Sequence, residues 1–245
     1  MTEVGIEIRN KTYRTDGRPH PVPAIRDLRL NLKSGEFVCL VGPSGCGKTT
    51  LLNLVAGLDR DYRGSVRIGA AAAEPRIGYV FQNPRLLPWR TVRENIALAL
   101  PKDTDPAYVD HLFEVVGLPD AGDVYPERLS LGMSRRAALV RAFAINPDLL
   151  LMDEPFVSLD PPTARRVREL VIALWRERPH TVLFVTHDLR EAVELADRLI
   201  FLAASPATVV CDIPVNLDRD SRDEAAIEGF RKALYADYPA IRALL

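Results

Sequence analysis

A glycine-rich turn between an apolar run and a helical pattern constrains the fold of this chain more than any other feature. Residues 42–49 read GPSGCGKT, which fits the phosphate-binding pattern G-x-x-x-x-G-K-[ST]. The continuous apolar run Phe37–Val41 before the turn predicts a buried strand, and residues 48–56 after it predict a helix. Strand, turn and helix in this order aim backbone N–H groups and a helix N-terminus at phosphate oxygens. The pattern therefore predicts an α/β fold with a nucleotide-phosphate site.

The residues of this turn have different predicted roles. Its glycines allow the tight backbone, Lys48 brings a positive charge to the β- and γ-phosphates, and Thr49 places its hydroxyl on Mg²⁺. Thr50 reaches another phosphate from the same helical turn. The predicted nucleotide-binding residues of this segment are Gly42, Pro43, Ser44, Gly45, Cys46, Gly47, Lys48, Thr49 and Thr50.

Short apolar runs alternate with helical patterns along the chain, which is typical of a mostly parallel sheet covered by helices. Residues 4–13 and 28–32 alternate apolar and polar positions and predict an antiparallel β edge region, with a hairpin loop over residues 15–23 between them. A helical stretch predicts an inserted helical subdomain. We expect one domain over residues 1–245, made of an α/β core (1–83 and 146–213), the helical subdomain (84–145) and a C-terminal helical tail (214–245).

Charge, apolar runs and cysteines argue against a nucleic-acid-binding, membrane-spanning or secreted protein. The formal net charge is -1, from 32 basic and 33 acidic residues, so no overall field attracts nucleic acid or anionic lipid. No apolar run reaches the roughly 18 to 20 residues that span a bilayer, and the first residues lack the apolar stretch of a signal peptide. Cys39, Cys46 and Cys211 have no metal-binding spacing and suit a reducing compartment. We expect a cytoplasmic protein, with another chain crossing any membrane that it serves.

An acidic pair, Asp153-Glu154, follows a second apolar run at residues 149–152. This position, just beyond the carboxyl end of a strand, is where open α/β sheets bind ligands. Asp153 is predicted to hold Mg²⁺ through a water, and Glu154 to orient or deprotonate an attacking water. Taken alone, such a pair is more typical of a solvated loop. Together with the glycine-rich turn, it predicts hydrolysis of the bound nucleotide.

Further motifs occur in a recognisable order. They are Gln82 after IGYVF, LSLGM at residues 129–133, Ser158-Leu159-Asp160, and His187-Asp188 after an apolar run. In this order the sequence resembles the ATPase subunits of ABC transporters, and the resemblance covers nearly the whole chain. It implies a P-loop NTPase fold of the ABC ATPase type, with a RecA-like core, and ATP and Mg²⁺ as the bound groups.

The resemblance also implies the catalytic positions. Gln82 contacts Mg²⁺ and the attacking water, and His187 hydrogen-bonds the γ-phosphate and holds Glu154 in line with the water. With Lys48 these residues form the predicted catalytic set. The predicted metal ligands are Thr49, Gln82 and Asp153.

In the same family two copies face each other head to tail and enclose ATP between them. The resemblance therefore implies that Ser130 and Gly132 bind the γ-phosphate held by a second copy, at the N-terminus of a helix starting near Ser134. Asp160 connects the two sites across the interface, and Tyr13 stacks on adenine.

The motif at residues 129–133 departs from the family signature LSGGQ at two positions. Leu131 replaces the first glycine and Met133 replaces the glutamine. A side chain at position 131 crowds the γ-phosphate if it points toward the nucleotide, and has no effect if it points away. Our hypothesis is that activity survives, because Ser130 and Gly132 are retained.

Residues 82–95, QNPRLLPWRTVREN, are similar to the corresponding segment of nitrate, sulfonate and taurine importers. The resemblance implies transmembrane permease subunits, an extracytoplasmic substrate-binding protein and a second ATPase subunit as partners, at the cytoplasmic face of the inner membrane. Leu86, Leu87 and Trp89 either contact the permease or cap the helical insertion. The transported solute, and whether the two ATPase subunits are identical, stay open.

Two other classes remain as alternatives. A soluble ABC-type ATPase of DNA repair or chromosome organisation carries a long coiled coil or a zinc-binding insertion, and this sequence has neither long heptads nor paired cysteines. A P-loop small-molecule kinase transfers phosphate to a substrate rather than to water. A phosphorylated product distinguishes that class.

Overall fold

In a computed structural model the protein is described over residues 2–14, 20–69, 74–102, 104–242 and 244. The chain forms two compact units: the first comprises Met1–Ala73 and Thr181–Leu245, and the second comprises Glu74–His180. The division into core, helical subdomain and tail that the sequence predicts stays a prediction.

The strands are β1 (Val4–Tyr13), β2 (Val22–Leu32), β3 (Phe37–Val41), β4 (Arg63–Ile68), β5 (Ile77–Val80), β6 (Leu149–Asp153), β7 (Thr181–Thr186), β8 (Arg198–Leu202) and β9 (Val209–Pro214). The α-helices are α1 (Lys48–Val55), α2 (Val92–Ala97), α3 (Pro106–Val115), α4 (Leu131–Ala144), α5 (Pro161–Glu177), α6 (Leu189–Leu195), α7 (Glu224–Asp237) and α8 (Pro239–Arg242). Short 3-10 helices cover Pro126–Arg128 and Arg219–Ser221.

The first unit contains a three-stranded antiparallel sheet in the order β2-β1-β4. Val4, Ile6 and Ile8 of β1 are buried, as the alternating sequence pattern predicts for a strand with one covered face. The predicted antiparallel β region is confirmed; β4 adds a third strand to it, and the sheet is separate from the one that holds the parallel strands. The predicted start of the second strand was wrong, since β2 begins at Val22. Residues 15–19 of the predicted hairpin loop lie outside the described residues.

The parallel strands of the first unit are β7, β3 and β8, with β3 in the middle and β9 pairing antiparallel to β8. Every residue of β3 and β7 is buried, which explains why these strands read as continuous apolar runs. Val41, the last residue of β3, pairs with Thr186, the last residue of β7. The segments that follow the two strands therefore leave the sheet at the same edge.

The C-terminal part of the first unit is anchored by an arginine. The Arg222 guanidinium donates hydrogen bonds to the carbonyl oxygens of Val193, Glu194 and Ala196, at the end of α6. Burial, followed by the positive charge of Arg219, lowers the pKa of Arg222 to about 10. The last carbonyls of a helix have no intrahelical partners, so this side chain satisfies them and fixes the chain that leads into α7.

The second unit pairs β5 with β6 in parallel, and helix α4 packs on β5. Gly78 of β5 permits the close approach of this helix, because a Cβ there would lie 2.6 Å from the Ala142 carbonyl oxygen. Side chains cap the N-termini of the helices: Thr91 and Glu94 form a capping box on α2, and Asp105 caps α3.

Helix α4 begins earlier than its apolar pattern predicts. The sequence placed its start near Ser134, whereas the first helical residue is Leu131 and Ser130 is the N-cap. The Ser130 hydroxyl oxygen accepts a hydrogen bond from the Met133 N–H at 3.2 Å, which satisfies a donor that the helix itself leaves open. The first turn contains Gly132 and Ser134, so it does not show the apolar periodicity of the later turns.

Among the described residues, no helix combines the length and the apolar character that crossing a bilayer requires.

Stability at acid pH is expected to depend on His180, whose side chain is only 7% exposed and whose Nε2 has no hydrogen-bond partner in the described structure. Burial, followed by the positive charge of Arg178, lowers the pKa of His180 to about 4. The unfolded chain takes up this proton near pH 6.5, before the folded chain does, so stability is complete above that pH and falls as the pH drops toward 4. Between pH 7.5 and pH 5 the loss is expected to be about 2 kcal/mol.

Urea unfolding at the two pH values measures this loss, and His180→Gln is expected to remove it. His20→Gln, at an exposed histidine, serves as the control. The same loss of stability in wild type and His180→Gln would show that another group controls the acid response.

Candidate nucleotide-binding and hydrolysis site

The glycine-rich turn joins β3 to α1 in the first unit. Gly45 and Gly47 have φ values of +78° and +107°, a backbone conformation that side-chain-bearing residues rarely adopt. Gly47 is also the N-cap of α1, and no side chain caps this helix. The N–H groups of the first helical turn thus face the place that the sequence predicts for phosphate, as a bound anion requires.

Lys48 folds back over the turn. Its side chain is 5% exposed, and Nζ donates hydrogen bonds to the carbonyl oxygens of Gly42 at 2.7 Å and Pro43 at 3.0 Å. An ammonium group and uncapped helical N–H groups form a donor set that suits a polyphosphate. Thr49 and Ser44 are exposed on the same turn, whereas Cys46 is buried.

Tyr13, at the end of β1, lies beside this turn. Its hydroxyl is 3.4 Å from Thr50 Oγ1, so the predicted adenine-stacking residue reaches the first turn of α1. The side chain is 41% exposed, which leaves ring surface accessible.

His187 follows β7, and the residues around it are held by local hydrogen bonds. Thr186 Oγ1 accepts from the Asp188 N–H at 3.0 Å and donates to Glu191 Oε2 at 2.9 Å. Asp188 caps α6 through the N–H groups of Arg190 and Glu191. Since β7 lies beside β3, His187, which is exposed, leaves the sheet at the same edge as Gly42, which is buried.

The second unit holds the acidic pair. Asp153 is the last residue of β6 and 4% exposed, so the prediction that it lies just beyond the strand was one residue off. Glu154 follows, half-buried, with φ +42°, a conformation that costs a non-glycine residue about 1 kcal/mol or more. Val80 pairs with Met152, so exposed Gln82 leaves the same strand edge as the acidic pair.

Two arginines on α4 hold the segments that carry these residues. Arg135 is buried and donates to the Pro155 carbonyl oxygen, directly after Glu154. Arg141 donates to the carbonyl oxygens of Pro84 at 2.7 Å and Arg85 at 3.0 Å, just after Gln82. Sequence reasoning missed the role of Arg135. Arg135 stands between Ser134 and Arg136, so the local sequence gives no signal that it is buried.

The LSLGM segment forms the start of α4. Leu131 occupies the first helical position, has no positive φ and is 47% exposed, so its side chain fits there without backbone strain. Gly132 has less room, because a Cβ there would lie 3.3 Å from Thr163 Cγ2. Asp160 caps α5 by accepting from the Thr163 N–H at 3.1 Å, and hydrogen bonds from Thr163 lower the pKa of Asp160.

The structure thus gathers the predicted residues into two sets. The first unit carries the phosphate turn, Tyr13 and His187, and the second carries Gln82, the acidic pair, Asp160 and the α4 N-terminus. Within the described part of the chain, no group of three or more His, Cys, Asp or Glu residues forms a metal site. A hydroxyl such as that of Thr49 and a carboxylate such as that of Asp153 nevertheless suit Mg²⁺, which is usually bound by few protein ligands together with phosphates and water.

A buried parallel strand, a helix N-terminus without a side-chain cap and a lysine folded over the turn between them define a P-loop nucleotide-binding protein. A family model described as ABC transporter matches residues 25–157. The chain therefore belongs to the ABC transporter family, as an ATP-binding and ATP-hydrolysing subunit.

Individual relatives agree with this membership. The chain is 42% identical over 220 residues to the aliphatic sulfonates import ATP-binding protein SsuB of Bacillus subtilis, covering 87% of this chain and 85% of that protein. It is 41% identical over 234 residues to the nitrate import ATP-binding protein NrtD of Synechococcus elongatus, covering 91% and 85%. A dimeric, post-hydrolysis structure of the ATP-binding cassette MJ0796 bound to ADP and Pi is similar with a TM-score of 0.74 and 28% identity, covering 88% of this chain and 100% of that one.

Replacing Leu131 by glycine is expected to leave ATPase activity within about twofold of wild type, because the leucine already fits the first helical position. The free energy of unfolding is expected to fall by about 0.5 kcal/mol, since glycine is a poor helix former. Steady-state hydrolysis and urea unfolding measure the two quantities. An inactive wild type that Leu131→Gly rescues would show instead that the leucine blocks the nucleotide.

Proposed function

We propose that this subunit energises an importer of a small anionic solute of the sulfonate or nitrate type. The proposal that the bound ligand is a nucleotide rests on the glycine-rich turn with buried Lys48. Backbone N–H groups and an ammonium group at one helix N-terminus suit a polyphosphate and few other ligands. The names of the importer relatives support the transport part. The family match and these relatives favour transport over the DNA-repair and kinase alternatives.

In the first unit, the N–H groups of the turn and the Lys48 ammonium bind the β- and γ-phosphates of ATP. Tyr13 stacks on the adenine, and His187 hydrogen-bonds the γ-phosphate. The hydrogen bonds of Thr186 with Asp188 and Glu191, on either side of His187 in the fold, support a positioning role. Positioning and electrostatics supply most of the catalysis in phosphoryl transfer.

In the second unit, Glu154 orients the attacking water and accepts its proton, while Asp153 and Gln82 act with Thr49 as Mg²⁺ ligands. Mg²⁺, when bound, neutralises charge on the phosphate oxygens. The hydrogen bond from Arg135 to Pro155 supports a fixed position for Glu154. A general base must be held within hydrogen-bond reach of the proton that it accepts.

A second ATPase subunit completes each site in this proposal. Ser130 and Gly132 bind the γ-phosphate held by that second subunit, and Asp160 lies at the interface. The N-terminus of α4, a helix of 14 residues, supplies the dipole and N–H groups for such an anion. The dimeric form of the similar MJ0796 cassette supports this arrangement.

The permease partner is proposed to dock at Trp89, which is 69% exposed. Leu86 and Leu87 are half-buried and contribute less surface. The Asn95 amide donates to the carbonyl oxygens of Leu87 at 3.1 Å and Arg90 at 3.1 Å, which gives this loop a fixed shape. An exposed tryptophan on a fixed loop is suited to anchor a partner. The subunit is thereby held at the cytoplasmic face of the membrane, and a substrate-binding protein outside delivers the solute.

Glu154→Gln is expected to lower ATP hydrolysis by about 100-fold or more, because the amide cannot accept the proton of the attacking water. Binding of ATP is retained, so the variant is expected to form a stable dimer in saturating ATP and Mg²⁺. Steady-state hydrolysis against protein concentration and size-exclusion chromatography measure both effects.

The control is Glu114→Gln, at an exposed position of α3. It is expected to hydrolyse ATP like wild type, with specific activity rising with concentration. A Glu154→Gln variant that stays monomeric, and wild-type activity that does not depend on concentration, would contradict the two-subunit site.

Deleting the gene is expected to abolish growth on an alkanesulfonate as sole sulfur source, or on nitrate as sole nitrogen source. Complementation with wild type is expected to restore growth, and complementation with Glu154→Gln is not, because import requires hydrolysis. Uptake of the labelled solute measures the same loss directly. Undiminished uptake of both solutes in the deletion strain would refute the proposed solute class and leave the ATPase assignment intact.

A further inference from the structure

We propose that Lys11 and Asp59 position Tyr13 against the first turn of α1, and so set the affinity for the base of the nucleotide separately from that for its phosphates. This inference rests on the proposed function, in which Tyr13 stacks on adenine.

Lys11 is a buried cation inside the first unit, with its side chain only 2% exposed. Its Nζ lies 3.0 Å and 2.8 Å from the two carboxylate oxygens of Asp59, and donates to the Asp61 carbonyl oxygen at 2.7 Å. The three hydrogens of the ammonium group thus have acceptors at short range. A fully bonded cation of this kind holds its surroundings in one arrangement.

The pair remains charged at neutral pH. Burial opposes the charged form of Lys11, but the hydrogen bond and negative charge of Asp59 outweigh it and raise the lysine pKa. Burial also opposes the Asp59 carboxylate, but the hydrogen bond from Lys11 helps to outweigh it and lowers the aspartate pKa. Removing either member leaves the other partly buried without its opposite charge, which is costly.

Tyr13 contacts both members of this pair. Lys11 Nζ lies over the tyrosine ring, 4.6 Å from its centroid, within the range of a cation–π interaction. The Tyr13 hydroxyl donates to Asp59 Oδ2 at 3.3 Å, and its oxygen also lies within hydrogen-bond distance of Thr50 Oγ1, at 3.4 Å. The ring is therefore fixed at its face and at its hydroxyl.

These contacts connect the tyrosine to the phosphate turn. Asp59 lies shortly after α1 ends and Thr50 lies in its first turn, so both anchors of the hydroxyl belong to the segment that carries the turn. The base and the phosphates of a nucleotide are a set distance apart. If the Tyr13 ring is already held at that distance from the phosphate turn, binding costs less conformational entropy and the affinity is higher. An ion pair that served only stability would affect binding of base and phosphates alike.

Isothermal titration with MgATP and with magnesium tripolyphosphate separates these roles, because tripolyphosphate has no base. Lys11→Met is expected to raise the Kd for MgATP about fivefold while the Kd for tripolyphosphate stays within about twofold. In steady-state kinetics the KM for ATP rises and kcat changes less than about twofold. Lys33→Met, at an exposed lysine outside this network, is the matched control and is expected to bind both ligands like wild type.

Tyr13→Phe keeps the ring and removes both hydroxyl contacts. If Lys11→Met does not fold, this variant tests whether the position of the ring sets the affinity for the base. It is expected to raise the Kd for MgATP about threefold, with tripolyphosphate again unaffected. Equal weakening of both ligands, or unchanged MgATP binding in the folded variants, overturns the inference. A wild type that does not bind MgATP overturns the proposed function itself, and the inference with it.

Discussion

Parallel strand pairing is the constraint on which the functional arrangement depends. In the first unit it aligns the ends of β3 and β7, so that the phosphate turn and His187 leave the sheet together. In the second unit it aligns the ends of β5 and β6, and Gln82 leaves beside the acidic pair. A shift of register would separate these residues, whatever their identity. The buried backbone hydrogen bonds and apolar side chains of these strands therefore determine the chemistry at their ends.

The polar side chains around the site mostly act on the backbone of the loops. Arg135 and Arg141 bind carbonyl oxygens next to Glu154 and Gln82, and Thr186 binds the backbone next to His187. Catalysis of phosphoryl transfer requires groups that are already in position, because reorganisation during the reaction is costly. In the proposed mechanism, Glu154, Gln82 and His187 thus each lie close to a backbone segment that a neighbouring side chain holds.

The sequence predicted the family, the α/β fold and the ends of β1 and β3. These features show in apolar patterns and a glycine-rich turn that lie within a few neighbouring residues of the chain. The start of α4 could not be predicted, because a capping hydrogen bond rather than apolar periodicity determines it. The partnership of Lys11 with Asp59 was also missed. The two residues are 48 positions apart, and nothing in either local sequence indicates that they meet.

The N-cap of α4 bears on the proposal that Ser130 binds a γ-phosphate. Asp105, Asp160, Asp188 and Asp223 cap four other helices of the described chain, whereas a serine caps α4. An aspartate is at least as good a cap, but its carboxylate would repel a phosphate at the same helix end. The Ser130 hydroxyl uses one lone pair to accept from Met133 and retains its proton. One atom can therefore close the helix toward the protein and present a hydrogen-bond donor outward to an anion.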